Sequence, residues 1–228
     1  MKKVLFSWSG GKDSALALHE IQNNPKYEIV SLLTTVTKDY DRVSMHGFRT
    51  DLLEAQAASL SLPLKQIKIS KDATNDEYEN QMRESLAQFQ NEGVHSVVFG
   101  DIFLEDLKKY REDKLAQVDM GAIFPIWKKD TNELANKFVN SGFKALITCV
   151  DTNVLDARFT GRDYNKDLLN DLPAGIDLCG ENGEFHSFVF DGPTFKEPLG
   201  FERGEVVLRE NRFSCCELLS SSTIEVKV

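Results

Sequence analysis

Residues 9–14 read Ser9-Gly10-Gly11-Lys12-Asp13-Ser14, and this stretch decides the fold. It follows the apolar run Val4–Phe6 and precedes Ala15–Leu18, which continues at helical spacing. A strand, a glycine turn and the start of a helix therefore follow one another near the amino terminus. Unpaired backbone N–H groups and the positive end of a helix then point at one place, which suits a phosphate group.

The stretch is not a Walker A loop, which requires G-x-x-x-x-G-K-[ST]. If Gly11-Lys12 were its Gly-Lys pair, the first glycine would fall on Phe6 and the Ser/Thr on Asp13. It is not the dinucleotide pattern G-x-G-x-x-G either. It reads S-G-G-x-D-S and resembles the PP-loop of the ATP pyrophosphatases, which cut ATP between the α and β phosphates and hold the departing pyrophosphate. A tight turn followed by a helix N-cap is the alternative, but the position between a strand and a helix favours nucleotide binding.

The composition is that of a soluble globular protein. The chain has 228 residues, of which 41% are hydrophobic and 28% charged, and this is enough for one large domain or two small ones. No apolar run approaches the roughly 20 residues that cross a bilayer. Met1-Lys2-Lys3 has a basic start but is not followed by the apolar segment of a signal peptide. We therefore expect a cytoplasmic protein with no membrane partner.

The net charge argues against a nucleic-acid interface, and the cysteine spacing argues against a zinc or iron–sulfur site. The formal net charge is −9, and no cluster of Lys and Arg offsets it, which argues against nucleic acid as a partner. The densest basic segment, residues 108–111, is flanked by acidic residues and is typical of a solvated helix. The four cysteines show no C-x-x-C spacing, so buried thiols are expected rather than a zinc or iron–sulfur site.

Strand and helix patterns alternate through the first half of the chain. Strands are predicted at 4–6, 27–36, 63–69 and 96–100, and helices at 14–22, 49–60 and 75–91. This alternation predicts an α/β fold with a parallel sheet, right-handed crossovers and helices on both faces. Ligands of such sheets bind beyond the carboxyl ends of the strands. The loops after Trp8, Val36 and Gly100 should therefore face one crevice.

The remainder of the chain shows a different pattern and is predicted to form a smaller α+β unit. Helices are predicted at 131–141 and 163–172, and strands at 144–150, 185–190 and 205–213. No Ser/Gly-rich or charged linker separates the two parts. We place an ATP-binding domain at residues 1–122 and a substrate-binding domain at residues 123–228.

A second dense group of polar residues lies at 179–186, which reads Cys-Gly-Glu-Asn-Gly-Glu-Phe-His. Asn182-Gly183 predicts a turn, after which a period of two places Glu184 and His186 on one face of a strand. A histidine beside a carboxylate can exchange a proton near neutral pH. A hairpin turn with polar side chains facing solvent accounts for the pattern equally well.

Together with residues 9–14, the string Gly180-Glu181-Asn182-Gly183-Glu184-Phe185-His186 resembles the diphthine–ammonia ligase family of the PP-loop ATP pyrophosphatase superfamily. Shorter matches run through nearly the whole chain: His46-Gly47 with Arg49, Phe99–Ile102, Tyr110-Arg111, Pro125–Trp127 and Asp191–Pro193. The resemblance implies a HUP-type (Rossmann-like) nucleotide-binding domain and a smaller C-terminal substrate domain. It also implies ATP-dependent amidation of the carboxylate of diphthine, a modified histidine on translation elongation factor 2.

One segment departs from the family pattern. Residues 100–107 read Gly-Asp-Ile-Phe-Leu-Glu-Asp-Leu, unlike the Ser-Asp-Tyr-rich version of archaeal and eukaryotic members. The chain is therefore also similar to bacterial-type members, where diphthine is not made. The chemistry can transfer while the acid differs, so the substrate is either a protein side chain such as diphthine or a small acid.

The expected reaction is adenylation of a carboxylate. Attack on the α-phosphorus of ATP releases pyrophosphate, and ammonia then displaces AMP. Lys12 and Asp13 are expected to be catalytic, and Asp13 and Asp101 to hold Mg²⁺, which prefers carboxylate and phosphate oxygens. Adenine is expected near Leu33 and Thr34. The residues expected to bind the nucleotide are Ser9, Gly10, Gly11, Lys12, Asp13, Ser14, Leu33, Thr34, Gly100 and Asp101.

The substrate side is expected to include the second group of polar residues. The residues expected to bind the acyl substrate are His46, Arg49, Arg111, Glu181, Asn182 and Glu184. Glu184 and His186 are preferred over Glu181 as the catalytic groups that transfer protons. Arg49 could equally form a surface ion pair, and Arg111 could equally lie on a solvated helix face. No glutaminase-type domain is evident, so free ammonia is the expected nitrogen donor, and homo-oligomer formation is left open.

Two other functions agree with part of the sequence. A non-catalytic ATP-binding module of the HUP or stress-protein type would bind ATP without cleaving it, but gives residues 180–186 no purpose. A tRNA-modifying PP-loop enzyme is opposed by the net charge and by the lack of paired cysteines. An assay of pyrophosphate release distinguishes the non-catalytic module from the ligase. A salt-dependent shift of tRNA on binding would support the tRNA-modifying enzyme.

Overall fold

The computed structural model describes residues 1–43 and 47–220. The amino-terminal part of the chain contains β1 (Lys2–Ser7), α1 (Lys12–Gln22), β2 (Tyr27–Thr37), β3 (Arg42–Val43), α2 (Thr50–Leu60), β4 (Leu64–Ile69), α3 (Asn75–Asn91), β5 (Ser96–Val98), α4 (Glu105–Ala116) and β6 (Gly121–Ile123). The carboxy-terminal part contains α5 (Thr131–Asn140), β7 (Lys144–Asp151), a 3₁₀ turn (Ala157–Phe159), α6 (Lys166–Asp171), β8 (Phe185–Asp191), β9 (Phe201–Arg209) and β10 (Phe213–Ser220). Within the described ranges, no helix is both long enough and apolar enough to cross a membrane.

The first sheet, sheet A, is mostly parallel. Strands β4, β2, β1, β5 and β6 are hydrogen-bonded neighbours in that order and run parallel, and the short β3 pairs antiparallel with the end of β2. The chain runs from β1 outward to β2 and β4, then crosses back to β5 and β6. The direction of winding therefore changes between β1 and β5, and a ligand crevice opens beyond the carboxyl ends of these two strands.

Helices cover both faces of sheet A. Successive side chains of a strand point to opposite faces, and β1 shows this alternation. Val4 and Phe6 pack in one apolar cluster with Leu16 of α1, whereas Leu5 packs in a second cluster with Leu86 of α3. The predicted α/β class, with a parallel sheet and helices on both faces, is thereby confirmed.

The second sheet, sheet B, is antiparallel with strand order β8-β7-β10-β9. The single strand predicted at 205–213 is wrong, because a tight turn divides this segment between β9 and β10. Glu210 and Asn211 adopt φ angles of 51° and 52° in the turn. The turn contains neither Gly nor Pro, so the apolar residues on either side of it read as one continuous strand.

The two sheets share a hydrophobic core. The larger apolar cluster includes Phe6 of sheet A and Phe188 of sheet B. Phe48, which precedes α2, packs against Phe188 with ring centroids 4.9 Å apart at an angle of 61°. The division into domains at residues 122 and 123 stays a prediction, and the shared core brings residues from the carboxy-terminal part to the crevice of sheet A.

Candidate functional site

The phosphate loop, residues 9–14, turns sharply between β1 and α1. Gly10 has a φ of +79°, and a Cβ there would lie 2.4 Å from Cζ of Phe48 and 2.7 Å from Oε1 of Gln56. Only glycine fits such a position. Helix α1 begins at Lys12, and its N-cap residue Gly11 supplies no side chain to cover the helix end. The positive end of α1 is therefore available to an anion.

The connection from β5 to α4 lies against the start of α1. A Cβ on Gly100 would come within 3.0 Å of the carbonyl carbon of Asp13 and the backbone nitrogen of Ser14. A side chain at this position would push the two segments apart. Gly100 thus allows Asp101 to lie beside the phosphate loop, and both line the same cavity.

A buried glutamine ties the phosphate loop to both sheets. Gln56 of α2 is fully buried, and its Nε2 donates to the carbonyl oxygens of Gly10 (3.0 Å) and Val189 (2.7 Å). Its Oε1 accepts from Nε1 of Trp8 at 2.9 Å. The backbone N–H of Val189 also donates to the Gly10 carbonyl at 2.9 Å. Strand β8 is therefore bonded directly to the phosphate loop.

Lys12 links the phosphate loop to the second group of polar residues. Its side chain is buried, and Nζ donates to Oδ2 of Asp13 at 2.8 Å and to the carbonyl oxygen of Cys179. Nζ also lies 5.2 Å from the ring centroid of Phe185, and the Lys12 backbone N–H donates to Oγ of Ser187 at 3.1 Å. Burial lowers the pKa of Lys12, but the charges of Asp13, Cys179 and Glu181 and the hydrogen bond to Asp13 together outweigh burial, and the pKa is raised.

The second glycine loop, residues 179–186, is organised around a buried carboxylate. Glu184 accepts hydrogen bonds from the Asn182 backbone N–H (3.0 Å), the Asn182 Nδ2 (3.0 Å) and the Asp177 backbone N–H (3.2 Å). Strand β8 begins only at Phe185. His186 lines the crevice, whereas Glu184 lies behind the loop and does not line it. The sequence predicts Glu184 and His186 on one face of a strand, whereas in the structure Glu184 precedes the strand and is buried.

Glu181 and His186 line the crevice with opposite pKa shifts. The pKa of Glu181 is raised to about 7, chiefly by burial and also by the charge of Asp13, while the hydrogen bond from the Ile102 N–H and the charge of Lys12 oppose the shift. Burial and the Lys12 charge lower the pKa of His186 to about 4. At neutral pH the histidine is therefore uncharged, and Glu181 is divided between its two protonation states.

Asp101 and Arg111 form an ion pair at the edge of the crevice. Nε of Arg111 lies 2.9 Å from Oδ2 of Asp101, and Nη2 donates to Oδ1 at 3.2 Å. The guanidinium also stacks 4.4 Å from the ring centroid of Phe99. Arg111 is thus held at the site rather than on a solvated face, although Lys108 and Lys109 form the expected i,i+4 pairs with Glu112 and Asp113.

Two predicted substrate residues are not placed in the crevice. Arg49 lies 3.5 Å from Asp51 in an ion pair, with 40% of its side chain exposed, and it is not among the residues that line either cavity described below. His46 lies outside the described residues. Both assignments stay predictions.

Two cavities meet at the carboxyl ends of β1 and β5. A cavity of about 390 Å³ lies between the phosphate loop and the second glycine loop, with Ser9, Lys12, Asp13, Glu181 and His186 on its walls. A second cavity of about 470 Å³ lies beside it, and both volumes suit small-molecule ligands. The residues common to both cavities are Ser7, Ser9, Phe99, Leu107 and Arg111.

The larger cavity extends from the end of β2 to helices α3 and α4. Leu33 and Thr34, which the sequence predicts to lie near adenine, line this cavity, and their role in binding stays a prediction. Pairing of β2 with β1 ends at Leu33 and pairing with β3 starts at Val36, so Thr34 and Thr35 have no described strand partner on that edge. Sequence analysis did not predict that α3 and α4 line this cavity. Amphipathic spacing predicts which face of a helix is buried, but it does not show which part of the protein that face contacts. These wall residues include Tyr78, Met82, Tyr110, Lys114 and Leu115.

One carboxylate oxygen in the smaller cavity fits a cation. Oδ1 of Asp13 is buried and accepts no hydrogen bond from a described residue. Burial raises the pKa of Asp13, as do the charges of Asp177 and Asp101, while Lys12 opposes them. No group of three metal-type side chains occurs among residues 1–43 and 47–220. A Mg²⁺ ion held by Asp13 and Asp101 would therefore take the rest of its ligands from phosphate and water, as is usual for this ion.

Comparison with known proteins adds independent findings. Residues 1–120 match the family described as the diphthamide synthase N-terminal domain, and residues 130–216 match the diphthamide synthase C-terminal domain. A diphthine–ammonia ligase of Schizosaccharomyces pombe is 27% identical over 224 residues, covering 90% of this chain and 37% of that protein. A diphthine–ammonia ligase of Danio rerio is 26% identical over 236 residues, covering 92% of this chain and 90% of that protein.

The matches cover different shares of these relatives. The human diphthine–ammonia ligase is 27% identical over 125 residues, which is 52% of this chain and 46% of the human protein. The chain thus spans less than half of the fission yeast and human proteins and nearly all of the zebrafish protein. Because the N-terminal family match alone covers more than half of the sequence, the chain belongs to the diphthamide synthase family.

Proposed function

We propose that this protein is an ATP-dependent amide ligase that adenylates the carboxylate of a diphthine-like substrate, releases pyrophosphate and then transfers ammonia. The observation that carries the proposal is the junction of the two cavities. The cavity beside β2 and the cavity between the phosphate loop and the second glycine loop are neighbours that share five lining residues, Ser7, Ser9, Phe99, Leu107 and Arg111. A nucleoside triphosphate laid across this junction would place its α-phosphorus between the two loops.

Each wall of the junction has a part in the reaction. Main-chain groups of Leu33, Thr34 and Thr35 receive the adenine ring, and the N-terminus of α1 holds the β and γ phosphates. Lys12 adds a fixed positive charge beside them. Mg²⁺ held by Asp13 and Asp101 offsets phosphate charge when it is bound. The second glycine loop faces the acyl group.

The names of the relatives support the choice of substrate. The proteins from S. pombe, Danio rerio and human are named for joining diphthine to ammonia. We propose the same pair of substrates for this chain, with a small carboxylic acid as the alternative acyl substrate. The departure at residues 100–107, which includes Asp101 and reaches into α4, is the reason for keeping that alternative.

The test is a turnover assay with ATP, Mg²⁺, ammonium chloride and elongation factor 2 that carries diphthine. AMP and pyrophosphate are the expected products, together with one amide for each pyrophosphate. Replacing Lys12 or Asp13 by Ala should reduce turnover by about 100-fold or more, as expected for loss of a charged group that acts in the transition state.

Other outcomes of this assay point to other functions. ATP binding without pyrophosphate release would identify a non-catalytic nucleotide-binding module. Release of ADP and phosphate would mean that the loop does not hold pyrophosphate. Salt-dependent binding of tRNA together with tRNA-dependent AMP formation would favour a tRNA-modifying enzyme.

A further inference from the structure

We infer that Glu181 is the catalytic residue that takes a proton from ammonium, so that neutral ammonia can attack the activated acyl group. This inference rests on the proposed function and adds the identity of the base. Ammonium is the abundant form at neutral pH, and it has no lone pair with which to attack. A ligase that uses free ammonia therefore needs a proton acceptor close to the acyl group.

The carboxylate of Glu181 is held by one oxygen and open at the other. Oε1 accepts hydrogen bonds from the backbone N–H of Ile102 at 2.8 Å and of Phe103 at 3.4 Å. No described residue donates a hydrogen bond to Oε2, and the side chain lines the smaller cavity. Positioning by one oxygen leaves the second oxygen for a ligand that donates hydrogen bonds.

The other two candidates of the second glycine loop are less suited to this step. Both oxygens of Glu184 already accept hydrogen bonds from Asn182 or Asp177, and the side chain is buried. His186 lines the cavity, but its pKa is lowered to about 4 by burial and by Lys12. An imidazole with so low a pKa is a weak acceptor for a proton of ammonium.

The charge around Glu181 suits a small cation. The nearby Lys12 ammonium is already held by Oδ2 of Asp13 at 2.8 Å, by the carbonyl oxygen of Cys179 and by the face of Phe185. Lys12 occupies those groups, so the attraction for a further small cation comes from the acidic side chains near Glu181, where Asp13, Asp101 and Asp177 outnumber Lys12 and Arg111. The titratable and charged groups around Glu181 are Lys12, Asp13, Asp101, Arg111, Asp177, Cys179 and His186.

Burial and the charge of Asp13 raise the pKa of Glu181 to about 7. A base with a pKa near the working pH combines a useful ionised fraction with proton affinity. The ionised fraction falls as the pH drops below about 7. The ammonium-dependent rate should fall in the same range.

The proton balance of the step is complete. Glu181 takes one proton from ammonium, and the freed lone pair of nitrogen forms the C–N bond to the acyl carbon. The bond from that carbon to the phosphate oxygen breaks, and AMP leaves with the electron pair. The nitrogen then loses its surplus proton to the departing phosphate, which gives the neutral amide.

Glu181→Gln, which keeps the oxygen that accepts from Ile102, tests the inference with two nucleophiles. Hydroxylamine is a weaker base than ammonia and is largely unprotonated at neutral pH, so it does not need the base. With diphthine-bearing elongation factor 2 at pH 7, we expect the variant to lose about 100-fold or more in the rate with ammonium chloride. The rate with hydroxylamine and the ATP–pyrophosphate exchange should stay within about 10-fold of wild type. The matched control is Glu205→Gln on the exposed side of β9, which should keep wild-type rates.

Equal losses with both nucleophiles, or no loss with ammonium, would overturn the role of Glu181. If the proposed function itself is wrong, the wild-type protein will show no diphthine-dependent ATP–pyrophosphate exchange.

The pKa of Glu181 can also be measured without any acyl substrate. In nucleotide-free protein labelled with carboxyl-¹³C glutamate, the resonance that Glu181→Gln removes should titrate with a midpoint near 7. A midpoint typical of exposed glutamates, about 4.3, contradicts the inference.

Discussion

At the scale of single residues, two glutamates of the same loop have different chemistry because their surroundings differ. Glu184 is buried and serves as an acceptor for three N–H groups of the loop. Glu181 lines the cavity and keeps one oxygen open. The sequence alone preferred Glu184 as a catalytic group, since its spacing from His186 matched a strand face. The catalytic role of Glu184 stays a prediction. In the structure its carboxylate stabilises the second glycine loop by accepting hydrogen bonds from Asn182 and Asp177.

Glu184→Ala should destabilise the second glycine loop. The N–H groups of Asn182 and Asp177 would lose their acceptor, which costs about 1–3 kcal/mol for buried groups. Thermal unfolding measures this loss, and Glu205→Ala on the surface of β9 is the control. We also expect the variant to bind ATP but to form no amide. Unchanged melting and unchanged amide formation would remove both roles.

Cys215 should be the most reactive thiol of the chain. Cys149 lies opposite it on β7, with the sulfurs 3.1 Å apart. The hydrogen bond from Cys149 lowers the pKa of Cys215 to about 7, and Arg209 contributes, while the pKa values of the other three thiols are raised.

Because the thiolate is the nucleophile, alkylation of Cys215 by iodoacetamide should rise as the pH passes about 7. Peptide mapping should find Cys215 modified before Cys149, Cys179 and Cys216. In a Cys149→Ala variant the thiolate loses its donor, so the pH dependence should move upward. Equal labelling of all four thiols at pH 7 would contradict the assignment.

At the scale of elements, the site depends on how β8 meets the phosphate loop. Gln56 of α2 bonds to Gly10 and Val189, and β8 bonds to Gly10 directly. The strand that carries His186 is therefore positioned by the loop that is proposed to hold pyrophosphate. Movement of one element would displace the other.

Gln56→Leu should weaken both stability and ATP binding. Leucine has a similar volume but leaves the Gly10 and Val189 carbonyls and the Trp8 N–H with fewer partners, at about 1–3 kcal/mol for an unsatisfied buried group. Calorimetric titration with ATP should show a higher Kd, because the phosphate loop loses its fixed position. Gln81→Leu on the exposed face of α3 is the control and should stay within about 0.5 kcal/mol. A stable variant with wild-type affinity would show that the glutamine does not position the loop.

At the scale of the whole molecule, the two sheets share one core, and this predicts how the protein unfolds. Phe188 of sheet B is fully buried in the cluster that also contains Phe6 of sheet A. Phe188→Ala should cost about 3–5 kcal/mol and should shift a single unfolding transition.

Calorimetry together with hydrogen exchange in α1 measures whether the loss spreads to sheet A. Val206→Ala, at another exposed position of β9, should change stability by no more than about 0.5 kcal/mol. Two separate transitions, of which only one moves, would mean that the sheets unfold independently. ATP should raise the midpoint of a single shared transition, since it binds the folded state.

Much of sheet A was predictable, because its signals are local. The alternation of short apolar strands with helices predicted the parallel sheet, and residues 9–14 predicted the turn that begins α1. The boundaries of sheet B were harder. The turn between β9 and β10 has no Gly or Pro, and local spacing could not divide one apolar segment into two strands.

The sequence by itself determined the phosphate loop, the α/β class and the group of polar residues at 179–186, because each is encoded in neighbouring residues whose spacing limits the backbone. Only the tertiary structure decided which of those polar residues face the cavity and which are buried. It also decided that α3 and α4 wall the larger cavity, and that Gln56 joins Gly10 and Val189, 46 and 133 residues away along the chain. The physical reason is that burial and hydrogen bonding depend on neighbours in space, and these set the pKa and the availability of each side chain.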